Sequence, residues 1–346
     1  MFAKKKILYK NILIIRRDNI GDLLCVTPSI RALKHTHLNC NITLLVNSYN
    51  RDVIVNNPDI DHIEVYTKVK HKASGTSLFI VFFEKIKMIL RLRKSKFDYV
   101  IIASASERVR DWKLAKLCKP KSIIGYLNNK KSARRKDVAL DVKNNNSHEV
   151  EYVFNLFRQI GVHGMIPPMQ LYPSDHINNQ DIDISKKVIG INISTRKESQ
   201  RWPLENFFKL IKELSVNQEF TFLIFWSPGS KDNPKHPGDD ENAVDLIELC
   251  RDLPVILYPE NWRQSNTLQE LIDGLSLCDY VVTPDGGAMH IAAALQKPIV
   301  CFFGDVDTNH WHPWGVEHEL LQAKSHIVKD ISIDQAVNSV TKFTAI

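Results

Sequence analysis

Residues 283–304 read TPDGGAMHIAAALQKPIVCFFG, and this stretch decides the fold. An apolar β-branched run ends at Thr283, and Asp285-Gly286-Gly287 allows a tight turn with close backbone approach. Residues 288–295 form a small-residue helix, and residues 299–303 form a wholly apolar strand that stops at Gly304. A helix start behind glycines presents unpaired N–H groups and the positive end of the helix dipole, which suits a phosphate. His290 stands on the first turn of that helix, beside the same mouth.

Working outward, the same alternation fills the chain. In the first half, residues 10–16 (KNILIIR) form a strand, followed by the turn RDNIGD at 17–22. A helical pattern over 23–34 is interrupted by Pro28, and a second strand spans 42–46. Residues 78–97 make an oily helix with lysines and arginines concentrated toward its end, leading to a strand at 99–103. The second half restarts with strands at 188–193, 220–226 and 255–258, each followed by a polar loop or a helix. Such repetition predicts parallel sheets with crossover helices, as two Rossmann-like domains facing a cleft. The expected boundaries are a first domain over 1–173, a linker over 174–187 and a second domain over 188–330. A C-terminal helix over 331–346 is expected to pack back on the first domain. Ligands in such sheets sit at the carboxyl ends of the strands.

Composition limits the classes of function. The hydrophobic share of 44% and charged share of 25% are those of a globular protein. The six cysteines are scattered without a CxxC pair, which predicts free buried thiols in a reducing cytosol and no metal centre. The lysine-rich N-terminus imitates a signal peptide, but Lys10, Arg16 and Arg17 break its apolar part. No uncharged run reaches the ~18 residues of a membrane span. The charge is divided: residues 1–170 carry a net of +17 and residues 171–346 a net of −10. An anionic partner for the first half follows from that asymmetry. Nucleic acid is a poor fit, since no helix-turn-helix, RNP or zinc pattern accompanies the basic residues. The helix at 78–97, with one oily and one basic side, has the pattern of a membrane-surface helix; a crossover helix packed on the sheet is the plainer alternative.

At the strand ends the two halves differ. The first offers Arg16, Arg17 and the carboxylate Asp22; the second offers Ser194, Thr195, Arg201, the acidic loop at 239–241 and the 285–290 turn. Hydroxyls, cations and a helix start suit diphosphate, and a carboxylate suits ribose hydroxyls. Neither a Walker A sequence nor GxGxxG is present, so P-loop hydrolysis and ordinary dinucleotide binding are unsupported.

Three blocks, RRDNIGDLLCVTPSIRALK, STRKESQRWPLENF and TPDGGAMHIAAALQKPIVCFFG followed by HWHPWG, together resemble the heptosyltransferases of glycosyltransferase family 9, over roughly residues 10–315. The resemblance implies a GT-B fold. It also implies inverting, metal-independent transfer of heptose from ADP-L-glycero-D-manno-heptose to the inner core of lipopolysaccharide, at the cytoplasmic face of the inner membrane. ADP-heptose is then a substrate, and no cofactor is expected. The acceptor is lipid A–Kdo or an already heptosylated core. Asp22 matches the family's general base. Ser194, Thr195, Arg201, Thr283, Asp285, Gly286, Gly287 and His290 match its donor site, with Glu241 placed at the ribose. Arg201 stands where relatives often carry lysine, and Gly286 where they carry threonine. On charge alone, Arg16, Arg17, Lys130, Lys131, Arg134 and Arg135 are assigned to an acidic acceptor. The alternative is a GT-B enzyme using another nucleotide sugar or another surface glycan, and a membrane-associated scaffold without catalysis is a third reading.

Overall fold

A computed structural model describes residues 10–66, 78–142, 146–175, 177, 182–183, 185–217, 219–233, 237–260, 262–263 and 266–344. The lysines at 4–6, part of the expected linker at 174–187 and part of the loop at 227–242 lie outside the described residues.

The chain divides into two compact units, Met1–Pro167 and Pro168–Ile346. The division precedes the expected linker because the following segment is tied to the second unit. The Leu171 N–H donates to Ala294 O at 3.1 Å, and Ser174 donates through N–H and Oγ to the Asp273 carboxylate at 2.9 and 2.8 Å.

In the first unit the strands are β1 (Asn11–Ile15), β2 (Asn41–Asn47), β3 (His62–Tyr66), β4 (Tyr99–Ile102), β5 (Ser122–Tyr126) and β6 (Val138–Leu140). They form one parallel sheet in the order β3-β2-β1-β4-β5-β6. The centre of this sheet is covered on both faces, which is why β1 reads NILII without alternation. The helix expected over 23–34 is two helices, α1 (Ile20–Leu24) and α2 (Thr27–Thr36). Pro28 has no N–H to give to Leu24 O, and the Thr27 hydroxyl donates to that carbonyl instead, at 2.7 Å. Helices α3 (Leu78–Lys94) and α4 (Val109–Leu117) lead into β4 and β5, and α5 (Glu149–Arg158) closes the unit. A capping box starts α5: the Val150 N–H donates to His148 Nδ1, and the His148 N–H donates to Glu151.

The second unit repeats the plan. Its strands are β7 (Lys187–Asn192), β8 (Phe220–Phe225), β9 (Val255–Leu257), β10 (Tyr280–Pro284), β11 (Ile299–Phe303) and β12 (His318–Gln322). Their order, β12-β11-β10-β7-β8-β9, is the same parallel topology as in the first sheet. Its helices are α6 (Leu204–Leu214), α7 (Asp240–Leu249), α8 (Leu268–Leu277), α9 (Gly287–Ala294), the short α10 (Thr308–Trp311) and α11 (Ile333–Thr344). Trp202, Phe207 and Phe302 pack ring against ring in its core, with centroids 4.6–6.2 Å apart. The C-terminal helix, expected against the first domain, is anchored in the core of its own unit. Ala336, Val340 and Phe343 of α11 lie in the second core, and Phe343 stacks on Tyr280.

All six cysteines are free and buried. Among the described residues no helix is long and apolar enough to cross a membrane, and no group of three His, Cys, Asp or Glu could hold a metal ion.

Candidate functional site

Each sheet reverses its direction of growth between its first and fourth strands, and ligands of such sheets bind where the strand order reverses. In the first unit that point lies between the ends of β1 and β4. Arg16, immediately after β1, is 2% exposed. Its guanidinium donates to Ala103 O after β4, to Glu149 Oε1 on the first turn of α5 at 2.8 Å, and to Asp22 Oδ1. Asp18 stands 3.5 Å from Arg16 Nε. Burial alone would favour neutral Arg16, but Glu149, Asp22 and Asp18 outweigh it and raise its pKa above the ordinary value, so the buried cation stays charged.

Asp22 is the third residue of α1 rather than its cap. Asn19 is the cap, and Asp22 Oδ2 accepts from the Asn19 N–H at 3.1 Å and from Asn19 Nδ2 at 2.9 Å. One carboxylate oxygen therefore faces Arg16 and the other faces the turn. The turn itself is pinned because Tyr49 Oη and Asn50 Nδ2 both donate to Asp18 O. Arg108 reaches in from the β4 side, 3.0 Å from Asp18 Oδ2 and 3.1 Å from Ser104 Oγ, with its side chain 38% exposed. Burial raises the pKa of Asp18; Arg16 and Arg108 oppose that, while Asp22 and Asp111 add to it.

The assignment of Arg16 to the acceptor is corrected: a buried guanidinium with three carboxylates around it cannot reach one. Arg17 pairs with Asp111 and lies over the Tyr66 ring, 4.7 Å from its centroid. Arg134 folds back on Asp137 (Nη2 to Oδ1, 2.7 Å), and Lys130 pairs with Asp141 at 2.8 Å. Lys131 and Arg135 are exposed. Arg108 lies in the segment after a strand where the sequence places polar site residues, whereas Glu149 is not read from the sequence: it follows the capping His148 and signals only a helix start.

In the second unit the reversal lies between the ends of β7 and β10. The hub here is Asp239, a 2% exposed carboxylate just before α7. It accepts from Ser194 Oγ at 2.5 Å, from Arg201 Nη1 and Nη2 at 2.5 and 3.1 Å, and from Asn242 Nδ2 at 2.7 Å. Ser194 Oγ also accepts from the Ser227 N–H at 2.8 Å, so this hydroxyl is a structural link. The loop before Asp239 closes on itself. The Asp239 N–H donates to Ser227 O and the Gly238 N–H to Ser230 O, and a Cβ on Gly238 would lie 2.0 Å from Gly229 O. A cavity of about 500 Å³ adjoins the hub, with Arg201, Asn242 and Lys329 on its polar side.

Beside the hub stands the glycine turn. Asp285 Oδ2 accepts from Gln200 Nε2 at 3.3 Å, and Gln200 is also 3.5 Å from Thr195 Oγ1. Burial raises the pKa of Asp285, with Gln200 and Lys197 acting against it. Gly286 precedes α9 with no atom within 4 Å of where a Cβ would stand, and Gly287 opens the helix. His290 is 4% exposed and packs edge-on against Trp311 at 5.9 Å.

Two donor-site assignments change. Thr283 is fully buried, accepting from Asn192 Nδ2 at 3.1 Å and donating to Pro284 O at 2.9 Å, so it fixes the strand ends. Glu241 accepts from Ser230 Oγ at 3.0 Å and from the Lys231 N–H at 3.3 Å; the bond from its own backbone N–H, followed by these two, holds its pKa down. Asp239, its neighbour in the acidic run, carries the architecture.

Comparisons with known proteins give the family and the fold. The model of Glycosyltransferase family 9 (heptosyltransferase) matches residues 86–339. The chain is 23% identical to lipopolysaccharide heptosyltransferase 3 of Escherichia coli, over 85% of this chain and 83% of that one. It is also 23% identical to a Haemophilus influenzae protein named at the level of glycosyltransferase alone, over 88% and 85%. Among solved structures, a family 9 glycosyltransferase of Veillonella parvula superposes with a TM-score of 0.77 at 20% identity, covering 98% of both chains. The ADP-heptose LPS heptosyltransferase II of E. coli gives 0.76 at 17%, over 97% and 98%. The fold is GT-B, and by the match over most of its length the chain belongs to glycosyltransferase family 9.

Proposed function

We propose that the enzyme transfers L-glycero-D-manno-heptose from ADP-heptose to the inner core of lipopolysaccharide, with inversion and without a metal ion, at the cytoplasmic face of the inner membrane. The observation that carries this reading is Asp22, a carboxylate on α1 in the turn that follows β1, held by the buried Arg16 with about a tenth of its side chain exposed. The acceptor hydroxyl oxygen attacks the anomeric carbon from the face opposite ADP. As that bond forms, the bond from carbon to the ADP oxygen breaks. The hydroxyl proton passes to Asp22, and the departing pair of electrons stays on the diphosphate. An ionised carboxylate suffices as base, because the hydroxyl acidifies as it attacks.

The second unit supplies what the leaving group needs. Gly286, Gly287 and the first amides of α9 form the phosphate seat, helped by Arg201, whose guanidinium has more N–H groups than Asp239 occupies. Fixed donors of this kind stabilise a departing anion as a metal would. His290 and Thr195 flank that seat. Lys131 and Arg135, both exposed, and Arg108, half-exposed beside Asp18, are cations of the first unit that can meet an anionic acceptor.

A second reading, transfer from another nucleotide sugar or to another glycan, is favoured by the open space at Gly286 and by the relative named only as a glycosyltransferase. One assay separates the two. Purified enzyme is given heptose-deficient lipooligosaccharide with ADP-heptose or with other nucleotide sugars, and products are read by mass spectrometry. Gain of one heptose from ADP-heptose alone supports the proposal; gain of another sugar moves it to the second reading. The anomeric configuration of the product tests inversion, and unchanged turnover in EDTA tests metal independence.

A further inference from the structure

Helix α3 turns an apolar stripe away from its own core. Met88 and Leu92 are buried in the first core with Ile89 against it, so one side of the helix is occupied. On the far side Phe82 and Phe83 are 60% and 58% exposed and Leu90 is 49% exposed, with Ile86 between them. Phe82, Ile86 and Leu90 follow one another at four-residue spacing, and Phe83 lies beside them, so the four make one continuous stripe. Scattered apolar residues on a surface need no explanation, but two adjacent phenylalanines in a four-residue row do.

The charges beside the stripe say what covers it. Lys87, Arg91 and Lys94 project along one flank, Arg93 lies at its C-terminal end, and Lys85 is exposed as well. Glu84 pairs with Lys87 at 2.9 Å and Glu64 with Arg91 at 2.5 Å. Among the described residues no carboxylate pairs with Lys85, Arg93 or Lys94. The surrounding half of the chain carries a net +17. An oily row edged by an excess of cations over carboxylates fits a sheet of hydrocarbon under an anionic headgroup layer. A second positively charged copy fits it poorly, since the flanks would repel.

We infer that the Phe82–Phe83–Ile86–Leu90 face of α3 docks this enzyme on an anionic phospholipid bilayer, the phenylalanines entering the acyl boundary while the lysines and arginines meet lipid phosphates. The setting rests on the proposed lipid-anchored acceptor, but the binding itself needs no donor sugar and can be measured without any transfer.

The experiment is flotation of the full chain with vesicles of phosphatidylglycerol and phosphatidylethanolamine, beside vesicles of phosphatidylcholine alone, at low and high salt. The expected result is binding to the anionic vesicles that weakens with salt. It is lost in Phe82→Ser/Phe83→Ser and reduced about ten-fold or more in Lys87→Glu/Lys94→Glu. All four side chains are exposed, so both variants keep the fold, as checked by their melting curves. Equal binding of parent and variants, or binding indifferent to lipid charge, overturns the inference. So does failure of the parent to float while light scattering shows a dimer that the phenylalanine variant dissociates. Transfer to a detergent-solubilised acceptor is unchanged in the variants, which separates failure of docking from failure of the proposed chemistry.

Discussion

The two units share a strand order and differ in the sign of the residue at the centre of each polar cluster. At the first reversal point the central group is a cation, Arg16, which is buried with Glu149 and also holds the carboxylates Asp22 and Asp18. At the second the buried group is an anion, Asp239, and it holds a guanidinium and hydrogen-bond donors, Arg201 and Asn242. Identical topology thus produces opposite chemistry. A buried charge must be paired, and its partners are fixed in place by that requirement. The hub's sign therefore selects what the ligand meets: a proton acceptor in one unit, anion-binding donors in the other. Fold supplies the location and the buried residue supplies the function.

The largest test of this comparison is Asp22→Asn. It keeps the shape of the side chain and its link to Asn19 while removing the negative charge. Turnover is expected to fall by about a hundred- to ten-thousand-fold, while ADP affinity stays within experimental error, because the second unit is untouched. Parental turnover in this variant would remove the first hub from catalysis.

Asp239→Asn is the mirror experiment. It leaves Arg201 without its carboxylate and weakens the link to Ser194 and thereby to Ser227. Loss of about 3 kcal/mol of stability is expected in urea unfolding, and here ADP affinity falls as well. A variant that unfolds at the parental urea concentration would show that Asp239 is a bystander and that the inversion of sign between the units is superficial.

The α/β alternation of both units was legible in the sequence because the central strands are mostly apolar and most turns carry Gly, Asn, Asp or Pro, whereas β5, β6 and β12, short or half-buried, were not. The location of the sites was legible too, since both sets of polar residues follow strand ends. The roles within the sites were not. Arg16 and Arg17 are adjacent arginines with equal claims on an anionic acceptor, and only packing shows that one is buried under Glu149, a residue 133 positions further on. Asp239, Asp240 and Glu241 are three consecutive acids, and which of them turns inward depends on the closure of Gly229 on Gly238. Side-chain partners far apart in sequence leave no local trace, whereas periodicity does.

The scaffolds under the two hubs also differ in a way that can be measured. β1 is filled with Ile and Leu, whereas β7 carries Gly190 at its middle, where a Cβ would stand 2.7 Å from Cys278 Sγ and 3.1 Å from Phe225. Gly190→Ala is expected to cost about 1–3 kcal/mol through overpacking. Adding Cys278→Ala should recover part of that loss, since the nearest clashing atom is removed. No recovery in the double variant would mean that strain elsewhere in β7, and not contact with α8's C-terminal cap, requires the glycine.

The smallest effect separates the two raised carboxyls, Asp285 and Asp18. A carboxyl whose folded pKa lies above its unfolded one contributes most when both states are protonated. That contribution is lost as pH rises from the ordinary carboxyl range through the folded value. Asp285 is raised by burial, against which the neutral Gln200 and the more distant Lys197 act, so Asp285→Asn should match the parent in urea at about pH 3 and become the more stable protein toward neutrality. Asp18 is raised too, but Arg16 and Arg108 face it. Asp18→Asn removes that attraction together with the burial penalty, so its gain with pH should be smaller than that of Asp285→Asn, or reversed. Two parallel curves would mean that neutral and cationic neighbours act alike on the two carboxyls, and the contrast between the hubs would then stop at their buried residues. Diverging curves would show that it extends to the groups facing the ligand, because two arginines in direct contact balance Asp18 while Asp285 has an amide in contact and a cation only at longer range.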